Sequence, residues 1–421
     1  MRRLNISLLL ILGFLLFTPD LSQAIPAFAR KYGFNCNMCH TAFTKLNDFG
    51  QRVRDNGYQI PGQEGHEKNV LQIAPPIALR TSTGLIMAHT PGNKVTTSGF
   101  RLNGLDLLAA GVMHKNISFL LIYTPRIDEP TSDYTGNSEG DNPGQPGALE
   151  SANIIFSNIK GKGLNIRLGR FEPGYHAFSS KRSFYLIQPY EVYGFTTPNN
   201  DFVFDDNQIG IEATGHFRSG FKYTAGFVNG TGANPDNNNA KDVYGAVFKT
   251  FGRGDGQSAG QRIGAFGYYG WQPTNLNSTL MSPAGEADGK ANKSFSRMGC
   301  DLSLNWNNLN LMGMLVFGKD DKSLNDLDSS IDYSYTGGFA RLDWTALYNN
   351  RMVASVMYNW VNAPNYDDER DISAIAGLLR YYMGDWTAVN ICLHLEYSYR
   401  MIGSEDSYKE HNLAALVDFA F

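Results

Sequence analysis

From about residue 75 to the C-terminus the chain is a succession of short blocks in which apolar and polar side chains alternate. Each block is roughly the length of a tilted membrane strand. The clearest sets Val389, Ile391, Leu393, Leu395, Tyr397 and Tyr399 against Asn390, Cys392, His394, Glu396 and Arg400. Period-two alternation sends the two sets to opposite faces of a strand. In another block Cys300, Leu302, Leu304 and Trp306 oppose Arg297, Asp301 and Asn305. Cys300 and Cys392 therefore face opposite sides of the sheet, which argues against a disulfide between them. Beyond the first two dozen residues no stretch approaches the ~18 apolar residues of a membrane helix. Aromatics at 13%, charged residues at only 18% and 44 Gly in 421 residues suit an all-β transmembrane antiparallel barrel, apolar outside and polar within. A net charge of −4 gives no ground for a nucleic-acid partner.

The end of the chain favours this barrel over a soluble β-protein. Leu413, Ala415, Val417, Phe419 and Phe421 alternate to a terminal aromatic, with Asp418 on the other face. That pattern resembles the C-terminal strand signal of outer-membrane barrels. Sixteen strands are expected, to within two, starting near Ile77, Gly99, Ile117, Leu149, Leu164, Gln208, Phe221, Val243, Arg262, Phe295, Asn310, Tyr333, Met352, Ile372, Thr387 and Asn412. Connections after odd-numbered strands are long and rich in Gly, Pro, Asn and Asp, as over 129–147 and 231–242. Those after even-numbered strands are mostly short, as at His114-Lys115-Asn116 and Asn307-Asn308. Long external loops and short periplasmic turns are the pattern of such barrels. The longest connection, 172–207, is rich in aromatics and is expected to fold into the lumen. Trp271, Trp306, Trp344, Trp360 and Trp386 all fall near expected strand ends, as an interfacial girdle requires.

Residues 1–24 read as a secretory signal peptide: Arg2 and Arg3, an apolar run over 6–17, and Ser22-Gln23-Ala24 at the cleavage site. Residues 25–74 then form a small unit with its linker, and 75–421 the barrel. The small unit carries Cys36-Asn37-Met38-Cys39-His40. Two thiols at this spacing can each add to a vinyl group of one haem, and the following histidine then becomes the proximal iron ligand. Zinc would need more ligands than the segment offers. Pro26 can open a short helix through Phe28 and Tyr32 that stops at Gly33. Residues 41–56 read as a second helix, ended by Gly57, with Phe43, Leu46, Phe49, Gly50 and Val53 on one apolar stripe. Gly50 would let a flat macrocycle approach the backbone.

So short a segment cannot build a core unaided, and a haem is the apolar mass for the stripe to cover. A sixteen-stranded barrel leaves an open lumen. The segment is therefore expected inside the barrel or at its periplasmic mouth, as a plug. For the distal iron position the candidates are His66, His394, Met357 or no protein ligand.

The run Ile25-Pro26-Ala27-Phe28-Ala29-Arg30, with Gly33, the Cys36–His40 motif, Phe43, Leu46, Phe49-Gly50 and Gly57-Tyr58, resembles the fused monohaem cytochrome–porins. Thr44 stands where that family leads one to expect Pro, and Val53 where an aromatic is usual. The resemblance implies one covalent haem c on Cys36 and Cys39, with His40 as its proximal ligand. It also implies electron transfer across the outer membrane, from extracellular Fe(II) or another redox donor to a periplasmic carrier such as a soluble cytochrome.

Two other readings compete. Inward Arg297, Arg341 and Arg400 support a diffusion porin whose haem segment plugs or gates the lumen. A peroxidase would need a distal His–Arg constellation, which the segment lacks. The acidic connections over 320–332 and 367–371 could concentrate a cation outside, but neither has a calcium-loop spacing and solvated loops are the better reading. Donor oxidation by outer-sphere transfer needs no general acid, base or nucleophile.

Overall fold

The structure is a computed structural model that describes residues 27–72, 77–91, 95–125, 148–161, 163–232, 234–252, 261–273, 292–347, 350–383, 390–403 and 408–420. The expected signal peptide (1–24), the 129–147 connection, Trp386 and Phe421 lie outside them. The chain begins with helix α1 (Ala27–Tyr32), a hairpin of β1 (His40–Ala42) and β2 (Lys45–Leu46), and helix α2 (Asp48–Asp55). The barrel follows as β3 (Ile77–Thr90), β4 (Val95–His114), β5 (Ile117–Thr124), β6 (Ala148–Phe156), β7 (Asn165–Phe171) and β8 (Gln208–His216). It continues through β9 (Phe221–Val228), β10 (Asp242–Phe251), β11 (Gln261–Pro273), β12 (Asn292–Trp306) and β13 (Leu309–Asp320). β14 (Tyr333–Ala346), β15 (Met352–Asn362), β16 (Ile372–Met383), β17 (Asn390–Ile402) and β18 (Tyr408–Ala420) complete it.

Each strand pairs antiparallel with its sequence neighbour, and β18 closes onto β3. Every one of the sixteen expected strands has its counterpart. The largest displacements of a described start are four residues, at β4 (Val95 against Gly99) and β18 (Tyr408 against Asn412). No helix among the described residues is long and apolar enough to cross a membrane.

The faces follow the alternation. Along β17 Ile391, Leu393, Leu395 and Tyr397 are exposed, while Asn390, Cys392, His394 and Glu396 are buried in the lumen. Cys300 is exposed and Cys392 buried, and both are free thiols. Trp271 and Trp360 lie near the ends of β11 and β15 at one rim, Trp306 and Trp344 near the ends of β12 and β14 at the other. Two belts of indole rings thus bracket the apolar outer surface. Connections at the rim opposite the termini are mostly longer, with exceptions at 91–94 and 403–407.

Part of the chain itself occupies the lumen. Residues 172–207 run from β7 into the barrel, with a short helix α3 (Glu191–Gly194), and return to β8. Tyr175, Phe184, Tyr193, Phe202 and Phe204 of this luminal loop are almost wholly buried. Against the wall, Tyr175 packs on Tyr244, Tyr193 on Phe339, Phe202 on Tyr268 and Phe295, and Phe204 on Phe266. Polar groups of the wall hold the loop's backbone. The Glu396 carboxylate accepts from the N–H groups of Leu186 and Gln188, each at 2.7 Å, and of Ile187 at 3.3 Å. Asn359 Oδ1 accepts from the Glu191 N–H (3.3 Å), and Asp320 accepts from Thr197 and Asn200.

Inward arginines are matched rather than free. Arg297 pairs with Asp320, Arg341 with Asp343 (2.7 Å) and Arg400 with Glu191 (2.9 Å). The support they lend to a cationic diffusion path is correspondingly reduced, because each charge is offset within the wall or loop.

Candidate functional site

α1 stops at Gly33, whose φ of +67° suits a residue without Cβ. The chain then turns through a single 3-10 turn, Cys36–Met38, closed by a bond from the Cys39 N–H to the Cys36 carbonyl (3.2 Å). His40 starts β1. The second helix is shorter than the 41–56 expected. Residues 40–46 form the β1–β2 hairpin instead, and α2 begins at Asp48. The reason is Asn47, whose side-chain oxygen accepts from the Gly50 N–H (2.9 Å) and caps the helix there. Asn47 also donates to the carbonyls of Asn37 (3.3 Å) and Met38 (3.0 Å), and its N–H reaches the Cys39 carbonyl (2.9 Å). One side chain thus braces the cysteine turn against the helix. Gly50 is needed for a tighter contact than expected: a Cβ there would lie 2.2 Å from the Cys39 carbonyl oxygen. The end at Gly57 (φ +65°) is as the sequence indicates.

Cys36, Cys39 and His40 open together on one cavity of about 290 Å³, near the lower end of the ~300–1,000 Å³ typical of ligand sites. The whole expected stripe lines it: Phe43, Leu46, Phe49, Gly50 and Val53. Phe28 and Tyr58, stacked with ring centroids 5.2 Å apart, add to that side. Leu79, Leu108, Leu120 and Ile122 of the barrel face it. Burial pushes both thiols up to about 11 and His40 down to about 4, so thiols and a neutral imidazole present themselves. His40 Nδ1 lies 3.2 Å from the Thr44 carbonyl oxygen, which can only accept. Nδ1 therefore carries the proton, and Nε2 keeps the lone pair that binds a metal. Two thiols, an oriented imidazole and an apolar enclosure fit a c-type haem.

His66, His394 and Met357 do not line this cavity. His394 Nε2 lies 2.8 Å from Glu396, Met357 is buried in the luminal core, and His66 sits in a turn bonded to the Gln63 carbonyl. The acidic connections use their carboxylates locally: Asp328 accepts from Ser330, Asp332 pairs with Lys319 (2.9 Å), and Asp367 accepts from Tyr333 (2.6 Å). No cluster of three or more His, Cys, Asp or Glu suited to a metal ion occurs among the described residues.

The segment sits in the mouth of the barrel at the rim that carries the termini. Asp55 meets Lys222 (2.8 Å) and His216 (3.1 Å), Lys45 meets Asp343 (2.9 Å), and Arg54 meets Glu172 (2.7 Å). The Asn350 side chain donates to the Thr41 carbonyl (2.8 Å). Asn56 packs at the β6–β7 turn, where its carbonyl accepts from Ser157 (3.0 Å). Arg80, Lys181 and Arg182 also line the cavity, and no local pattern marks them, because closure of the barrel brings them there.

No family model matches the chain, and no curated protein is similar to it. Its fold is that of solved outer-membrane porins and channels. An anion-selective porin from Comamonas acidovorans superposes with a TM-score of 0.53 at 14% identity, over 82% of this chain and 99% of that one. OmpF of Salmonella typhi, solved with daunomycin, gives 0.54 at 9% identity, over 82% and 97%. The outer-membrane channel DcaP of Acinetobacter baumannii gives 0.53 at 7%, over 82% and 97%.

Proposed function

We propose that the chain is an outer-membrane electron-transfer cytochrome–porin, carrying electrons from an extracellular donor to periplasmic carriers through one covalent haem c. Cys36 and Cys39 would hold the haem and His40 its iron. The observation that carries this reading is the convergence of two thiols and an oriented imidazole on one apolar cavity between the segment and the barrel wall. A haem bound there supplies one-electron chemistry at a buried iron. The residues around it exclude water and fix the imidazole, and outer-sphere exchange asks for nothing more. Fe(II) as donor and a soluble cytochrome as acceptor rest on the family resemblance. The rim with the termini then faces the periplasm, and the apolar outer surface faces outer-membrane lipid.

The porin-like fold favours a second reading, a diffusion porin in which the segment plugs or gates the lumen. The buried aromatic filling of residues 172–207 weighs against free diffusion. One experiment separates the two: spectra of the oxidised, detergent-purified protein before and after adding Fe(II) at neutral pH, with solute flux through liposomes measured alongside. Rapid haem reduction without flux supports the conduit. A haem inert to Fe(II) together with flux overturns it in favour of the porin.

A further inference from the structure

The basic side chains of the cavity come mostly from elements other than those bearing its cysteines. Arg80 belongs to β3, and Lys181 and Arg182 to the luminal loop; Arg54 alone comes from the segment. Their carboxylate partners are shared. Asp418 is divided between Arg80 and Arg380, and Glu172 between Arg54 and Arg182. Arg80 has the weaker share, at 3.4 Å from Asp418 and 3.3 Å from the Lys181 carbonyl. Lys181 is matched by Glu150 at 2.8 Å, and Asp106 stands across from Arg80 in the β3–β4 register.

At this wall the apolar cavity gives way to a second, more polar one of about 170 Å³. The two share Arg80, Asp106 and Lys181, and the second adds Ser180, Ser183 and Tyr185. An apolar enclosure that ends on guanidiniums short of carboxylates suits a ligand with an apolar body and an anionic edge. Haem is such a ligand, since its propionates lie on the edge away from the vinyl positions that thiols attack.

We propose that Arg80 and Arg182, with Lys181 beside them, bind the two haem propionates. A haem tethered to the segment by its thioethers would then be gripped by the barrel wall and the luminal loop as well. The inference rests on the haem reading above and adds the residues that set the charge around the cofactor. Removing one of these cations leaves propionate charge uncompensated, which favours the ferric form and lowers the midpoint potential.

The test uses the full-length holoprotein in detergent. Intact mass first establishes covalent haem, and spectroelectrochemical titration then compares wild type with Arg80→Gln, Arg182→Gln, Arg80→Lys and Arg370→Gln, the last in a connection at the opposite rim. Each neutral substitution at the cavity is expected to raise the ferric-to-ferrous ratio at fixed potential about tenfold, a fall of about 59 mV for one electron. Arg80→Lys should retain most of the wild-type value and Arg370→Gln all of it. If haem is attached and neither Arg80→Gln nor Arg182→Gln moves the potential beyond the Arg370→Gln control, the propionate assignment is wrong. Wild-type protein without covalent haem would instead sink the haem reading itself.

Discussion

Replacing Glu396 with Ala should unlatch the luminal loop and turn a plugged barrel into a leaky one. The Glu396 side chain is fully buried, and its carboxylate takes two loop N–H groups at 2.7 Å and a third at 3.3 Å. Hydrogen bonds to a charged group contribute ~1.5–3 kcal/mol each. Counting only the two short ones, the substitution costs the seated loop about 3–6 kcal/mol. At ~1.4 kcal/mol per tenfold, the unseated population rises about 10²- to 10⁴-fold. Glu396→Gln keeps one acceptor and turns an amide N–H₂ toward the loop's donors, so its effect should be intermediate. Single-channel recording in planar bilayers reads the outcome directly, as openings frequent in Glu396→Ala, fewer in Glu396→Gln and rare in wild type. Heat-modifiable migration on gels confirms that the barrel is folded. A folded Glu396→Ala barrel with wild-type conductance would show that the aromatic packing alone seats the loop, and the latch would be refuted.

Two further outcomes concern the N-terminal segment. Gly50→Ala places a methyl group 2.2 Å from the Cys39 carbonyl oxygen, so it should destabilise the segment by about 1–3 kcal/mol. Limited proteolysis checks this: cleavage before residue 73 should speed up while the barrel core persists, and unchanged cleavage contradicts the contact. Asp55 carries the acid sensitivity of the same segment. Burial opposes its ionisation, but Lys222, His216 and Arg54 outweigh it and hold the carboxyl well below the usual carboxylate range. A depressed folded-state value means stability present above the unfolded pKa of about 4 and lost as pH falls below it. Protease release of the segment should therefore rise below about pH 4 in wild type. In Asp55→Asn the segment should be weakened at neutral pH, with that acid step blunted.

The barrel was legible because its signal is local and repeated. Alternation along β17 and β12 assigns each side chain to lipid or lumen without knowledge of any partner strand. The Cys36–His40 motif is equally local, as is the apolar stripe that proves to line the same cavity. The helix start was misplaced because the Asn47 cap competes with a continuous helical stripe, and capping won. Arg80, Arg182 and Glu396 could not be anticipated. Their surroundings depend on closure between β18 and β3 and on the path of residues 172–207, which bring together positions 101 and 210 residues apart.

The seating of the segment also bears on the order of biogenesis. Residues 41–56 touch the β6–β7 turn through Ser157, β9 through Lys222, the β14–β15 turn through Asn350 and β16 through Tyr382, which together span most of the ring. Such a set of partners exists in one place only once the cylinder has closed. The segment's full set of anchors is therefore complete only after the last strand has paired with the first.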